Sequence, residues 1–135
     1  MMITGKAKRK VALFLKEFYN KANVGNGGNS TGQDANELDI PLLTTRKTTG
    51  NSESFGSAVD FAVTFTGAEV QGNTIREFGV FSESMPTDSE MSEIGDGSWN
   101  SGNSDTTMLS RVHFDALGPF SVNDSLEFIL VVEVE

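Results

Sequence analysis

The sequence predicts a mainly β fold, a small antiparallel β-sandwich carrying one N-terminal α-helix. Three observations carry that expectation. In Val59-Asp60-Phe61-Ala62-Val63-Thr64-Phe65 the large apolar residues occupy every second position, the period of a strand with one buried face. A second alternation runs through Leu126, Phe128, Leu130, Val132 and Val134. Helical periodicity is confined to the start, where Val11, Phe14, Leu15, Phe18 and Ala22 form one apolar stripe.

The 135 residues read as a single domain, 1–135, long enough to bury a core without disulfides. There is no cysteine, so neither a disulfide framework nor a thiolate metal site can form. The single histidine, His113, gives His-based catalysis or metal binding little to build on. No apolar run approaches the roughly 20 residues that cross a bilayer. The basic start followed by Val11–Leu15 lacks the cleavage site of a signal peptide, so it is read as part of a protein made in a cytoplasm.

Charge is divided unevenly. Residues 1–21 hold Lys6, Lys8, Arg9, Lys10, Lys16 and Lys21 against Glu17, a net +5; the whole chain carries −9, so the remainder carries −14. An acidic body argues against nucleic acid as a partner, whereas the basic head suits an acidic protein surface or a solvated helix face.

Taken in order, residues 5–22 are expected to be helical and to stop at Asn23-Val24-Gly25. Their stripe is read first as core against the chain's own sheet, second as a contact with a neighbouring subunit. Residues 23–57 form a turn-rich entry segment. Its glycines at 25, 27, 28 and 32 lack the Gly-Lys-Ser/Thr of a phosphate-binding loop. Within it, Glu37–Leu43 is a short edge segment, because Pro41 cannot sit in a central strand, and Thr44–Phe55 is polar and turn-rich. Residues 58–135 hold the sandwich core. The alternating strand at 59–65 turns at Gly72-Asn73 into Thr74-Ile75-Arg76-Glu77-Phe78-Gly79-Val80-Phe81, read as its antiparallel neighbour. Gly79 there marks a tight approach, expected beneath the helix. Residues 82–106 are a long polar loop holding Trp99, the kind of side chain that anchors interfaces. Its acids Asp88, Glu90, Glu93 and Asp96 do not match a calcium-loop spacing. Strands at 108–115 and 125–135 close the chain. In the last, Ile129 and Val131 make the second face apolar at its centre, which predicts burial on both sides or a subunit contact.

No combination of these residues carries reaction chemistry, so an enzyme is not expected, and no catalytic, cofactor-binding or metal-binding residue is assigned. Glu77 and Arg111 lie on strands expected to be neighbours and are candidates for a cross-strand ion pair. His113 and Asp115 share a polar sheet face with Arg111. Two N-x-S/T patterns, at Asn29 and Asn123, matter only to a secreted chain. The candidate interface residues are Phe14, Phe18, Trp99, Ile129 and Val131.

In its order of elements the chain resembles a recurrent β-domain of tailed-virus virion proteins, found in tail, baseplate and tail-fibre components. The resemblance rests on Gly25–Gly28 leading to Leu42 or Leu43 and Arg46, on Ile75/Glu77/Gly79/Phe81, and on Leu109/Arg111/Phe114. It spans nearly the whole chain through short, degenerate motifs in fixed order. Two departures stand out: a threonine (Thr44 or Thr45) replaces the glutamate usual before the arginine, and a 25-residue loop replaces a short hairpin between the motif strands. The resemblance implies a structural virion subunit, a tail or baseplate adaptor or a fibre-attachment protein. It further implies other virion proteins and further copies of itself as partners, in a trimer or ring, without nucleic acid, membrane or cofactor. A capsid decoration or turret protein and a carbohydrate-binding sandwich module are the alternatives.

Overall fold

The computed structural model describes residues 2–28, 37–54, 56–82, 85–86 and 104–135. Helix α1 (Gly5–Phe18) leads directly into β1 (Tyr19–Gly25), followed by β2 (Lys47–Thr48), β3 (Gly50–Glu53), β4 (Ala58–Thr66), the single helical turn α2 (Gly67–Val70), β5 (Ile75–Ser82), β6 (Met85–Pro86), β7 (Ser104–Asp105), β8 (Met108–Leu117) and β9 (Ser125–Glu133). The strands form one sheet of order β2-β1-β5-β8, a second of order β3-β4-β9, and the small β6-β7 ribbon, all with antiparallel pairing. The two larger sheets pack face to face as a β-sandwich. Val24, Phe78 and Val80 from one sheet meet Val59, Phe61, Val63 and Phe65 from the other in the core.

The helix is four residues shorter than its apolar stripe. Thr4 caps its start, its hydroxyl accepting from the Ala7 amide at 3.2 Å. It ends at Phe18, and Ala22 and Val24, both fully buried, belong to the central strand β1. The helix end is held from outside. Asn51 Nδ2 donates to the carbonyls of Lys16 (3.0 Å) and Tyr19 (2.7 Å), two of the acceptors a helix terminus leaves unpaired. Asn51→Ala is expected to lower stability by about 1–2 kcal/mol, checked by urea denaturation, without changing the β-sheet signal of the folded protein.

The second correction concerns β4 and β5. They are not neighbours but belong to opposite sheets. Between them the chain forms α2, where Thr66 and Glu69 make a reciprocal capping box, and Lys47 bonds Glu69 at 2.6 Å. The return crossing, between β8 and β9, runs alongside. Gln71 bridges Phe120, and the Gly72 amide donates to the Phe120 carbonyl at 2.9 Å. Gly67 lies so close to this second crossing that a Cβ there would stand 2.5 Å from the Val122 carbonyl oxygen and 2.6 Å from that of Asp124.

The two sides of the sandwich differ. On one, the stretch expected to be turn-rich passes as β2 and β3 from the first sheet to the second, with Thr49 N bonded to the Asn20 carbonyl. There α1 covers the inner side of β3. On the other side β8 and β9 are both edge strands, not bonded to each other. Aromatic rings fill the space between the sheets: Phe128 stacks on Phe78 at 4.4 Å and meets Phe114 at 5.7 Å. The inward residues of β9, Leu126, Phe128, Leu130 and Val132, remain only half-buried.

Candidate functional site

Two features stand out, a buried polar hub and a pair of uncovered apolar surfaces. The hub is Glu77. Its side chain is 0% exposed, on the face of β5 turned away from the core. That face is covered by the segment 37–46. Leu38 lies over Gly79, and the Arg46 guanidinium lies 3.7 Å from the centre of the Phe81 ring. The tight approach at Gly79 is therefore beneath Leu38 and not beneath the helix.

Among the described residues every polar contact to the Glu77 carboxylate comes from a donor. Oε1 accepts from the Asp39 amide (2.9 Å) and from Arg111 Nε (3.0 Å), and Oε2 accepts from the amides of Gly27 (2.9 Å) and Ile40 (2.9 Å). Desolvation by itself raises the carboxyl's pKa. The Ile40 and Asp39 amides, Arg111 and the Gly27 amide outweigh it, and the net direction is below the ordinary 4.5. Arg111 is 13% exposed and stands opposite Gly79, two residues along β8 from His113, which is directly opposite Glu77. The carboxylate thus ties together β5, β8, the glycine turn and the 37–41 segment. Asn23, read from sequence as part of a helix stop, does the same next door: its side chain exchanges two hydrogen bonds with the backbone of Leu43. Pro41 forms an isolated bridge to Gly25, at the edge position expected of it.

In this hub the Glu77 carboxylate is met by four donors and by the opposite charge of Arg111. A cleft of about 480 Å³ nearby is lined by Lys21, Glu37, Thr45, Arg46 and Ser82. Its cations are engaged as well, Arg46 with Glu37 at 3.0 Å and Lys21 with Thr48 at 2.7 Å. Among the described residues no group of three or more His, Asp or Glu side chains could hold a metal ion, and no helix is long and apolar enough to cross a membrane.

The apolar surfaces involve the candidate interface residues. The helix faces the sandwich with Lys8, Ala12 and Leu15, and only Ala12 within it is buried. The stripe expected to be core is divided: Leu15 and Phe18 pack against the core and Ala22 is buried within β1, while Val11 and Phe14 turn outward. Val11 is 46% and Phe14 41% exposed, while Phe18 is half-buried and packs on Phe14 with ring centres 4.7 Å apart. On β9, Ile129 (59% exposed) and Val131 (58%) point away from the core, so the strand is not buried on both faces. They flank Ala62 and Asp60 of β4 in register, and Glu127 and Glu133 continue the same row. Trp99 and nearly all of the 82–106 loop lie outside the described residues.

Compared with known protein families and with curated proteins, the chain matches neither a family model nor an individual sequence.

Proposed function

We propose that this chain is a structural subunit of a tailed-virus virion, in the tail or baseplate, that acts by assembling with further copies and with other virion proteins. The observation that supports assembly is the uncovered apolar surface on two separate elements, Val11 and Phe14 on α1 and Ile129 and Val131 on β9. Isolated exposed apolar residues are ordinary. Adjacent pairs on a helix ridge and on the outer face of an edge strand are the kind of surface that partners cover. Two long strands, β8 and β9, that are edges among the described residues on the same side of the sandwich add to this. The tail assignment rests on the ordered resemblance, whose two motif strands are the neighbours β5 and β8.

Static light scattering of the purified protein tests the assembly reading. The expected mass is a fixed multiple of 14.5 kDa, independent of concentration over a wide range. A folded, soluble monomer at the highest attainable concentration overturns it. A decoration protein would also assemble, and labelling of purified virions with an antibody to this chain separates tail from capsid. A glycan-binding module would instead bind a glycan array and lose that binding on Trp99→Ala.

A further inference from the structure

We infer that the ridge of α1 in one copy seats on the outer face of β9 in a second copy, a head-to-tail contact. This rests on the assembly reading and specifies which surfaces carry it.

The two surfaces match in chemistry. Along α1, Ala7, Val11 and Phe14 fall at i, i+4 and i+7, an exposed ridge about 100° around the helix from the buried face, and half-buried Phe18 continues the row down onto the core. Lys6 and Lys10 are exposed on α1 and flank the first half of the ridge on one side, in a row that Glu17 continues toward the helix end. Along β9, alternation places Glu127, Ile129, Val131 and Glu133 on one outward row, apolar at the centre and acidic at both ends. An apolar ridge with two lysines beside its first half and an apolar strip with glutamates at its ends are thus presented by the same chain. Their dimensions agree too. Successive ridge residues rise by roughly 5–6 Å along the helix, and successive outward residues of a strand by roughly 6.6 Å. The fourteen-residue helix is roughly 21 Å long, within the roughly 30 Å of the nine-residue strand.

They cannot meet within one copy. The helix lies against the inner side of β3, where Asn51 holds its end and Arg9 pairs with Glu53 at 3.6 Å. Ile129 and Val131 face the other way, on the far edge strand of the same sheet. Closing the contact therefore takes two copies, and in the head-to-tail arrangement it is heterologous. Repetition of such a contact closes into a ring or runs on as a filament.

The test uses two variants that each disable one surface. Val11→Asp/Phe14→Asp spoils the ridge, and Ile129→Asp/Val131→Asp spoils the strip; all four positions are exposed enough to accept the change. Each variant alone is expected to sediment as a monomer. A one-to-one mixture of the two is expected to give a species of two copies and nothing larger, since one intact ridge meets one intact strip. A mixture that stays monomeric, or variants that keep the wild-type mass, overturns the contact while leaving assembly standing; a monomeric wild type overturns both.

Should an aspartate variant misfold, charge exchange replaces it. Lys6→Glu/Lys10→Glu and Glu127→Lys/Glu133→Lys are each expected to weaken assembly, and the combined variant to restore it. Failure of the combined variant to restore assembly equally overturns the contact.

Discussion

Glu77→Gln is expected to lower the stability of the folded chain by about 3–5 kcal/mol, measured by chemical denaturation at neutral pH. Four donors surround the carboxylate, two at each oxygen. A glutamine side chain keeps one acceptor but turns an NH2 group toward two of those donors, whichever way the amide is flipped. Arg111 at the same time loses its carboxylate partner in a site only 13% exposed. The effect depends on pH with a definite sign. The folded-state pKa lies below the ordinary 4.5, so the native state favours the charged form more strongly than the unfolded chain does. This contribution is fully present above the unfolded pKa and is lost as pH falls through the folded one. The stability gap between wild type and Glu77→Gln is therefore widest at neutral pH and narrows below about pH 4. A gap that holds constant down to pH 3 would contradict the assigned charge state.

The glycines beside the carboxylate yield the second large effect. At Gly25 an added Cβ would stand 2.5 Å from Glu77 Oε2 and would also run into the Ile40 carbonyl oxygen. At Gly27 it would stand 2.6 Å from both Asp39 Oδ2 and Glu77 Oε2. Neither glycine has a left-handed φ, so the requirement is space rather than backbone conformation. Gly25→Ala has to displace the Ile40 backbone and its hydrogen bond to Glu77, and is expected to cost about 3 kcal/mol. Gly28→Ala is the internal control. Among the described residues its Cβ would meet nothing closer than His113 Nε2 at 3.9 Å, and a change of less than about 0.5 kcal/mol is expected. Thermal melts of the three proteins decide the matter, and equal losses at 25 and 28 would refute the steric account.

The alternating residues of β4 and β9 made the sandwich legible, because a period of two over seven or more residues has one structural solution. The helix boundary was not legible for a related reason. Ala22 continues the helical stripe from Val11 and also alternates with Val24, so both periods fit through residues 18–24. The strand won because β1 is hydrogen-bonded along its length to β5. A signal for the separation of β4 from β5 was present. Thr66-Gly67-Ala68-Glu69 is a capping-box pattern, and a helical turn there moves the chain out of its sheet where a hairpin would have kept it in.

At the hub, Glu77 and Arg111 could be named from their strands, whereas the Gly27, Asp39 and Ile40 amides could not. Backbone donors leave no residue-type signature, and which of them converge depends on how the covering segment lies. The exposed ridge was equally hidden. Periodicity shows that a helix has an apolar stripe but not which side of it the sheet occupies, and here Ala12 and Leu15 take that place.

The pairing of β4 with β9 also bears on how the chain folds. Phe61 and Leu130 are register partners, and β9 follows every other strand. Sheet β3-β4-β9 therefore cannot be completed until the rest of the chain has been synthesised. Closing so long a loop comes before any contact that rewards it, which places this protein among the slower-folding topologies. Until then the apolar row Val59, Phe61, Val63 and Phe65 has only the short β3 along one edge. Synthesis and refolding thus pass through a stage in which the sequence's best strand is its most aggregation-prone segment.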